Sequence, residues 1–474
     1  MKTRNFKYII GALILATTFQ MASAQPVAKI GYFLDNATHK HLLIPALVPA
    51  RGYFSYPGVG SIDLDLKSNL SLSNFLYPAL NEGDPLRTFM SPSITPEQFL
   101  SGLADNNFIK MDQRLSLLSF GFYSGTSFWT FEVASRINMN LNLPYDLFAF
   151  MKQGMSSPEG NRYEINNLEV GTEVMLEASL GTSILLFDNL RLGVKGKFLA
   201  GAAKATAGLE QLVIDMQQDS WTVTSNGLMN IYAPGVTYVT DSEGVVSYEG
   251  LPVDISNYAP ALAGQGVAFD FGASWTPLPF LTVSAGIIDL GKVTWSKDNN
   301  IRAISSGGFT FAGMDNIGGE EEGEGSFEDQ LTELQENLME MAQFTESNVT
   351  EDYIHNLIPT INAGIEAGIL KNKLSVGVLY SNRLVPGAPQ SELTGILNLK
   401  PAKGLNFAAS YTLVNRQAQT LGVAMGVNLG IANIYIACDY IPLEVTPQYI
   451  PIYSMSTHFQ AGLSLSLGKM KVRK

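Results

Sequence analysis

From Gly404 to Leu467 the chain alternates apolar with small polar residues, one extended run after another. Phe459, Ala461, Leu463, Leu465 and Leu467 interleave with His458, Gln460, Gly462, Ser464 and Ser466. Leu405, Phe407, Ala409, Tyr411 and Leu413 repeat the pattern, as do Leu421, Val423, Met425, Val427 and Leu429. A period of two sends successive side chains to opposite faces, so each run is a strand between two different surroundings. In a soluble sandwich the outer face would carry Lys, Glu and Asp. Here the polar faces are nearly uncharged and rich in Gly and Ser. A closed membrane barrel suits this pattern, because closure satisfies every backbone hydrogen bond in lipid and shields an inner face that need not be apolar. The expected fold is all-β, a transmembrane antiparallel barrel of about 14 strands, an even number within the range of single-chain barrels.

The start of the chain fits the same compartment. Lys2, Arg4 and Lys7 precede an apolar run from Tyr8 to Phe19, and Ala22-Ser23-Ala24 supplies a small-x-small cleavage signal. Residues 1–24 therefore read as a secretory signal peptide, with the mature chain starting near Gln25. No other apolar run approaches the roughly 20 residues of a spanning helix, so insertion must use strands. A leader followed by a strand barrel places the protein in a bacterial outer membrane, in contact with its lipid. Charged residues make up 15% of the chain, below the roughly 25% of soluble proteins. The net charge of −13 argues against a nucleic-acid partner. The single cysteine, Cys438, excludes an internal disulfide and is expected to share a face with Ile434, Ile436 and Tyr440, as an apolar filler does.

Residues 25–60 hold Pro26, Pro45, Pro49 and Pro57 around His39-Lys40-His41 and offer only short extended pieces. They read as a segment preceding the barrel, placed to act as a plug inside it. His39 and His41 would share one side of a strand, but no acidic pair or cysteine completes a metal site, and no metal or cofactor is expected. The barrel is expected over 61–468, starting with the strand Ile62–Leu72, and 469–474 form a basic tail. Thr95-Pro96-Glu97-Gln98 opens a short helix, with Thr95 as its cap. Trp275 and Trp295, near strand ends, suit an interfacial aromatic girdle.

The candidate functional residues are charges on the inner faces. Glu132 and Arg136 oppose the outward row Trp129, Phe131, Val133 and Ile137. Glu173 and Glu177 lie on one strand, and Arg191, Lys195 and Lys197 lie on the next, joined by the turn Asp188-Asn189. Asp270 and Glu366 complete the set. Opposite charges on paired strands make a salt-bridged wall, and neutralisation is the plainer reading than a charge-selective constriction. Gly364, Gly368, Gly422 and Gly426 are expected to leave room in the lumen.

Two insertions interrupt the pattern, at 204–264 and 298–358. The second contains the acidic run Gly318–Gly325 and then Phe327, Leu331, Leu334, Leu338 and Met341 at helical spacing. That stripe must dock on the barrel or on a protein partner, so residues 318–346 are the candidate partner-binding segment. The chain has no Gly-x-Ser-x-Gly elbow, zincin helix or phosphate loop, and only four histidines, so no enzymatic activity is expected.

Several stretches resemble a known family. They are His41-Leu42-Leu43-Ile44-Pro45-Ala46 with Arg51-Gly52-Tyr53-Phe54, then Leu141-Asn142-Leu143-Pro144-Tyr145-Asp146-Leu147-Phe148, and Ile288-Asp289-Leu290-Gly291-Lys292-Val293-Thr294-Trp295. Together they look like the signatures of a Bacteroidetes outer-membrane barrel family catalogued as a domain of unknown function. The architecture is similar to the fourteen-stranded fatty-acid-transporter class and to the related type IX secretion barrel. The resemblance implies the fold and transfers no activity. Two functions follow as expectations: a gated conduit or transporter for small, hydrophobic molecules, or a non-conducting, secretion-associated scaffold.

Overall fold

The computed structural model describes residues 27–34, 37–56, 60–79, 85–155, 161–242, 244–247, 252–313, 332, 336–337, 343–385, 390–415, 418–442 and 456–469. The leader, the stripe of Phe327, Leu331, Leu334, Leu338 and Met341, and residues 470–474 lie outside them.

Fourteen antiparallel strands close into a barrel. The first, β1, runs in two pieces, Arg51–Ser55 and Ser61–Ser68, so the wall begins ten residues before the expected start at 61. The next four are β2 (Asn106–Ser124), β3 (Ser127–Pro144), β4 (Asn161–Phe187) and β5 (Leu190–Met216). Then come β6 (Gly264–Leu278), β7 (Leu281–Trp295), β8 (Thr360–Ile369), β9 (Leu374–Arg383) and β10 (Gln390–Ala402). The ring ends with β11 (Leu405–Val414), β12 (Ala418–Asn428), β13 (Ala432–Pro442) and β14 (Thr457–Lys469). It closes where β1 pairs with both β2 and β14, with Asp63 opposite Arg114 on one side and Gln460 on the other.

Outward residues on the lower part of β4, from Leu176 through Leu180 and Ile184 to Leu186, are exposed and apolar. That stretch matches the roughly 9–11 residues with which a tilted strand crosses a bilayer. Higher on β4 the exposed residues turn polar, at Arg162, Glu164 and Asn166. β4 and β5 each run for 27 residues and so project well past the apolar band. Above it, β5 exchanges its partner β6 for the strand Trp221–Tyr232, which in turn pairs with Asn300–Phe311. The two insertions are thereby joined in one extension of the wall.

The two ends of the barrel differ. Turns at Gly125-Thr126, Asp188-Asn189, Pro279-Phe280, Leu370–Lys373, Lys403-Gly404 and Leu429–Ile431 are short and lie at the end where Arg51 pairs with Lys469. Most connections at the other end are longer, although only residues 415–417 join β11 to β12, and two of them carry the helices Pro96–Leu100 and Tyr145–Gln153. Thr95 caps the first of these helices through the amide of Gln98, as its sequence indicates.

One bulge alters the reading of β7. The ladder with β6 slips between Phe269 and Phe271, and Asp289 takes φ 61. Before the slip odd-numbered residues such as Val283 and Ala285 face outward, and after it the outward positions are even-numbered. Trp295 is therefore not in the girdle. It is wholly buried, with its ring 6.0 Å from that of Tyr232 and set against Gly201 and Gly264. Trp275 stands exposed near the short-turn end, as expected of an interfacial aromatic.

Candidate functional site: a charged lumen and its N-terminal segment

Inward positions on β2 to β7 carry charges in an alternating chain. Glu132 Oε1 meets Arg114 Nη1 at 2.7 Å, and Arg114 Nη2 meets Glu177 Oε1 at 3.2 Å. Arg136 Nη1 reaches the other oxygen of Glu177 at 3.0 Å, and its Nη2 reaches Asp289 at 3.2 Å. Lys197 Nζ closes the run at 2.7 Å from both Asp289 and Asp270. Arg114 and Arg136 stand directly opposite each other on paired strands, a repulsive placement by itself. Glu177, one carboxylate oxygen to each, converts it into a bridge. All seven side chains are buried, so each charge depends on its neighbours for the solvation that water would give.

The bulge also builds this chain. It turns both Ile288 and Asp289 inward, and the Asp289 amide donates to Asp270 Oδ1 at 2.9 Å. Asp289 and Arg114 are the two members that the sequence reading passed over. Arg114 lies just before the clear alternation that starts at Leu115. Asp289 belongs to the motif Ile288-Asp289-Leu290-Gly291, and the adjacent apolar pair Ile287-Ile288 is the signal of a break in phase.

The other candidates lie elsewhere. Glu173 is directly opposite Lys204, bridged at 3.0 Å, with His355 Nδ1 at 3.2 Å. The expected facing rows on β4 and β5 are therefore corrected. Glu177 faces Leu199 in register, and Lys195 points to the N-terminal segment. Arg191 donates to the Ser183 carbonyl near the short-turn end. Glu366 is half-buried and accepts from Ser375 at 2.6 Å. A second cluster, unforeseen, joins Lys67 to Glu392 at 3.1 Å and to Asp65 at 3.3 Å, with the Tyr440 hydroxyl donating to Glu392 at 2.6 Å.

Residues 27–34 and 37–49 thread the lumen. Their contacts run round the ring: short-range backbone bonds, such as those from the Leu34 amide to the Gly31 carbonyl and from the Leu42 amide to the His39 carbonyl, close two 3-10 turns, and the wall satisfies further backbone groups. Asp439 Oδ2 accepts from the Lys29 amide at 2.7 Å. Asn398 donates to the Phe33 carbonyl at 2.7 Å, Asn362 to that of Leu43 at 2.9 Å, and the Tyr123 hydroxyl to that of Pro49 at 2.6 Å. The Tyr32 hydroxyl lies 2.6 Å from Ser284 Oγ. On the side of β9 to β13, Ile30, Phe33 and Leu34 pack against Leu379, Ile396, Ala408, Ala424 and Ala437. The space expected at Gly364 is taken up by Tyr32, and Phe33 fills the corresponding space at Gly377.

A row of glycines makes the closest seat. Gly193, Gly272 and Gly286 stand side by side in register on β5, β6 and β7. A Cβ on Gly193 would collide with the main chain of Pro45, and one on Gly272 would press on Ile44 and Pro45.

His39 and His41 fix the middle of the segment. Lys195 Nζ lies 3.0 Å from His41 Nδ1 and can only donate, so His41 Nε2 carries the proton and donates to the Tyr53 hydroxyl at 2.8 Å. His39 Nδ1 meets the Tyr435 hydroxyl at 3.1 Å, and its Nε2 lies 4.0 Å from Glu132. Burial, partly offset by Glu132, pushes the His39 imidazole down to about 4, and burial beside Lys195 holds His41 well below its usual range. No group of side chains suited to a metal ion occurs among the described residues.

The fold is a closed antiparallel barrel with an N-terminal segment inside its lumen. The chain belongs to the family described as "Family of unknown function (DUF5723)", whose model matches residues 45–439. No curated protein matches the sequence. Among solved structures it is similar to the Pseudomonas putida toluene transporter TodX, at 8% identity and a TM-score of 0.42, covering 95% of this chain and 96% of that one. A Pseudomonas aeruginosa FadL homologue is similar at 10% identity and a TM-score of 0.41, covering 94% of this chain and 99% of that one. These likenesses are too distant to carry a substrate across.

Two outcomes follow. Arg136→Met leaves Glu177 and Asp289 buried with one partner fewer, and should cost about 3–5 kcal/mol in urea unfolding of the refolded barrel. Adding Asp289→Asn should recover part of that loss, and an unchanged midpoint for the single variant would contradict the charge chain. Neutral His39 is the buried form, so stability should be full above about pH 6.5, the unfolded value, and fall as the pH drops toward about 4. Thermal unfolding of His39→Asn should be less sensitive than wild type across that window.

Proposed function

We propose that this protein is an outer-membrane conduit for small hydrophobic or amphipathic molecules, held shut in the present state by residues 27–49. The supporting observation is the make-up of the lumen. One wall, from β9 to β13, sets Leu379, Ile396, Ala408, Ala424 and Ala437 among polar residues such as Ser381, Asn398 and Thr412, and the other presents the charge chain. Withdrawal of the segment would expose a lining of mixed apolar and polar residues facing a charged one, which suits a molecule with both characters better than the wholly polar interior of a water-filled porin. The segment adds no strand to the wall and is held by side chains, so it can leave without opening the barrel. Short turns lie on the periplasmic side of such barrels, which puts the long connections and both insertions outside the cell.

The scaffold reading rests on the stripe within 318–346, most of which lies outside the described residues. Conductance in planar bilayers separates the two. Wild type should be closed or open only briefly, and a variant lacking residues 27–49 should conduct steadily. Gly193→Ile, which drives a side chain into the place of Pro45, should give an intermediate open fraction and covers the case in which the deletion does not fold. Silence in every folded form would refute the conduit and favour the scaffold.

A further inference from the structure

The two ends of the barrel carry opposite charge. At the long-connection end, exposed Asp219, Asp241, Glu346 and Glu351 represent an acidic excess. At the short-turn end the turn Leu370–Lys373 and the stretch 399–405 bring Lys371, Lys373, Lys400 and Lys403 together, and neither contains a carboxylate. Lys373 and Lys400 are immediate neighbours, since the Lys400 amide donates to the Lys373 carbonyl at 2.7 Å. Leu370, Lys371 and Asn372 take three successive positive φ values, 51, 58 and 62, in this turn.

Apolar side chains are set among these lysines. Leu370 is 69% exposed and Leu399 48% exposed, and on a nearby turn Ile431 is 77% exposed. Side chains so placed lie at the edge of the hydrocarbon, where a lysine can rest its stem on apolar surface and lift its ammonium to the headgroups. We infer that this rim is a binding surface for anionic phospholipid headgroups of the leaflet at the short-turn end, with Lys371, Lys373, Lys400 and Lys403 holding the phosphates. An acidic soluble protein would also meet the charge, but it gives no reason for exposed leucines between the lysines, whereas a lipid satisfies both. The inference rests on the membrane-spanning reading and not on conduction.

The test uses the full mature chain, delipidated and refolded in detergent. Wild type and the fourfold variant Lys371→Gln/Lys373→Gln/Lys400→Gln/Lys403→Gln are titrated separately with phosphatidylglycerol and phosphatidylcholine, and bound lipid is counted by native mass spectrometry. Wild type should prefer phosphatidylglycerol by on the order of tenfold, as several lysines near a lipid surface imply. That preference should fall several-fold in the variant and in high salt. Lys297→Gln/Arg302→Gln, at the opposite end, should retain it. Equal binding of both lipids by wild type, or a preference that survives in the fourfold variant, would overturn the proposal. Failure to insert into vesicles of either lipid would instead count against the membrane-spanning barrel, and heat-modifiable gel mobility shows which variants have folded.

Discussion

Lipid offers no hydrogen bond to a strand, and this one lack governs the rest of the molecule. It forces the sheet to close, and closure gives every second side chain to an interior shielded from lipid, which here the N-terminal segment fills. Charges placed there must solvate one another. The run from Glu132 through Arg114, Glu177, Arg136, Asp289 and Lys197 to Asp270 does so by alternation of sign across six strands. The arrangement gives no guarantee of net stabilisation, since buried pairs often gain little over apolar replacements of the same shape. What it does dictate is mutual dependence, because removing one member leaves its neighbours charged in a dry interior.

The same seclusion explains the N-terminal segment. A ring of fourteen strands encloses more space than its own side chains fill, and the inner face of β5 to β7 is thinned by Gly193, Gly272 and Gly286. Into that space the chain folds its own beginning. With two short 3-10 turns as its regular structure, the segment depends on the wall for many of its remaining hydrogen bonds. Asn362, Asn398, Asp439 and Tyr123 supply what the segment lacks. The histidines add a link between segment and charge, with Lys195 held by His41 and Glu132 near His39.

Much of the fold was legible because period-two alternation is local. The inward placing of Glu132, Arg136, Lys195, Lys197 and Asp270 followed from parity alone, and their neighbours in sequence were enough. What was not legible depends on register or on a break in phase. The Arg114 to Arg136 opposition, the Glu173 to Lys204 pair and the glycine row exist only once distant strands are aligned. Trp295 was misplaced because a single left-handed residue, Asp289, inverts the faces of β7 beyond it. The projection of β4 and β5 beyond the apolar band escaped notice for another reason. Above the membrane both faces of a strand become polar or small, as in Ala202, Ala203, Lys204, Ala205 and Thr206, so the alternation fades while the pairing continues.

The central claim is that the segment 27–49 occupies the lumen, and cysteine accessibility tests it most directly. Ala408 lies on the inner wall behind the segment, and Cys438→Ser removes the natural thiol. In Cys438→Ser/Ala408→Cys, a membrane-impermeant thiol reagent applied to outer membranes should leave position 408 unlabelled while the segment is present and label it when residues 27–49 are deleted. Rapid labelling with the segment in place would show an open lumen and contradict the account.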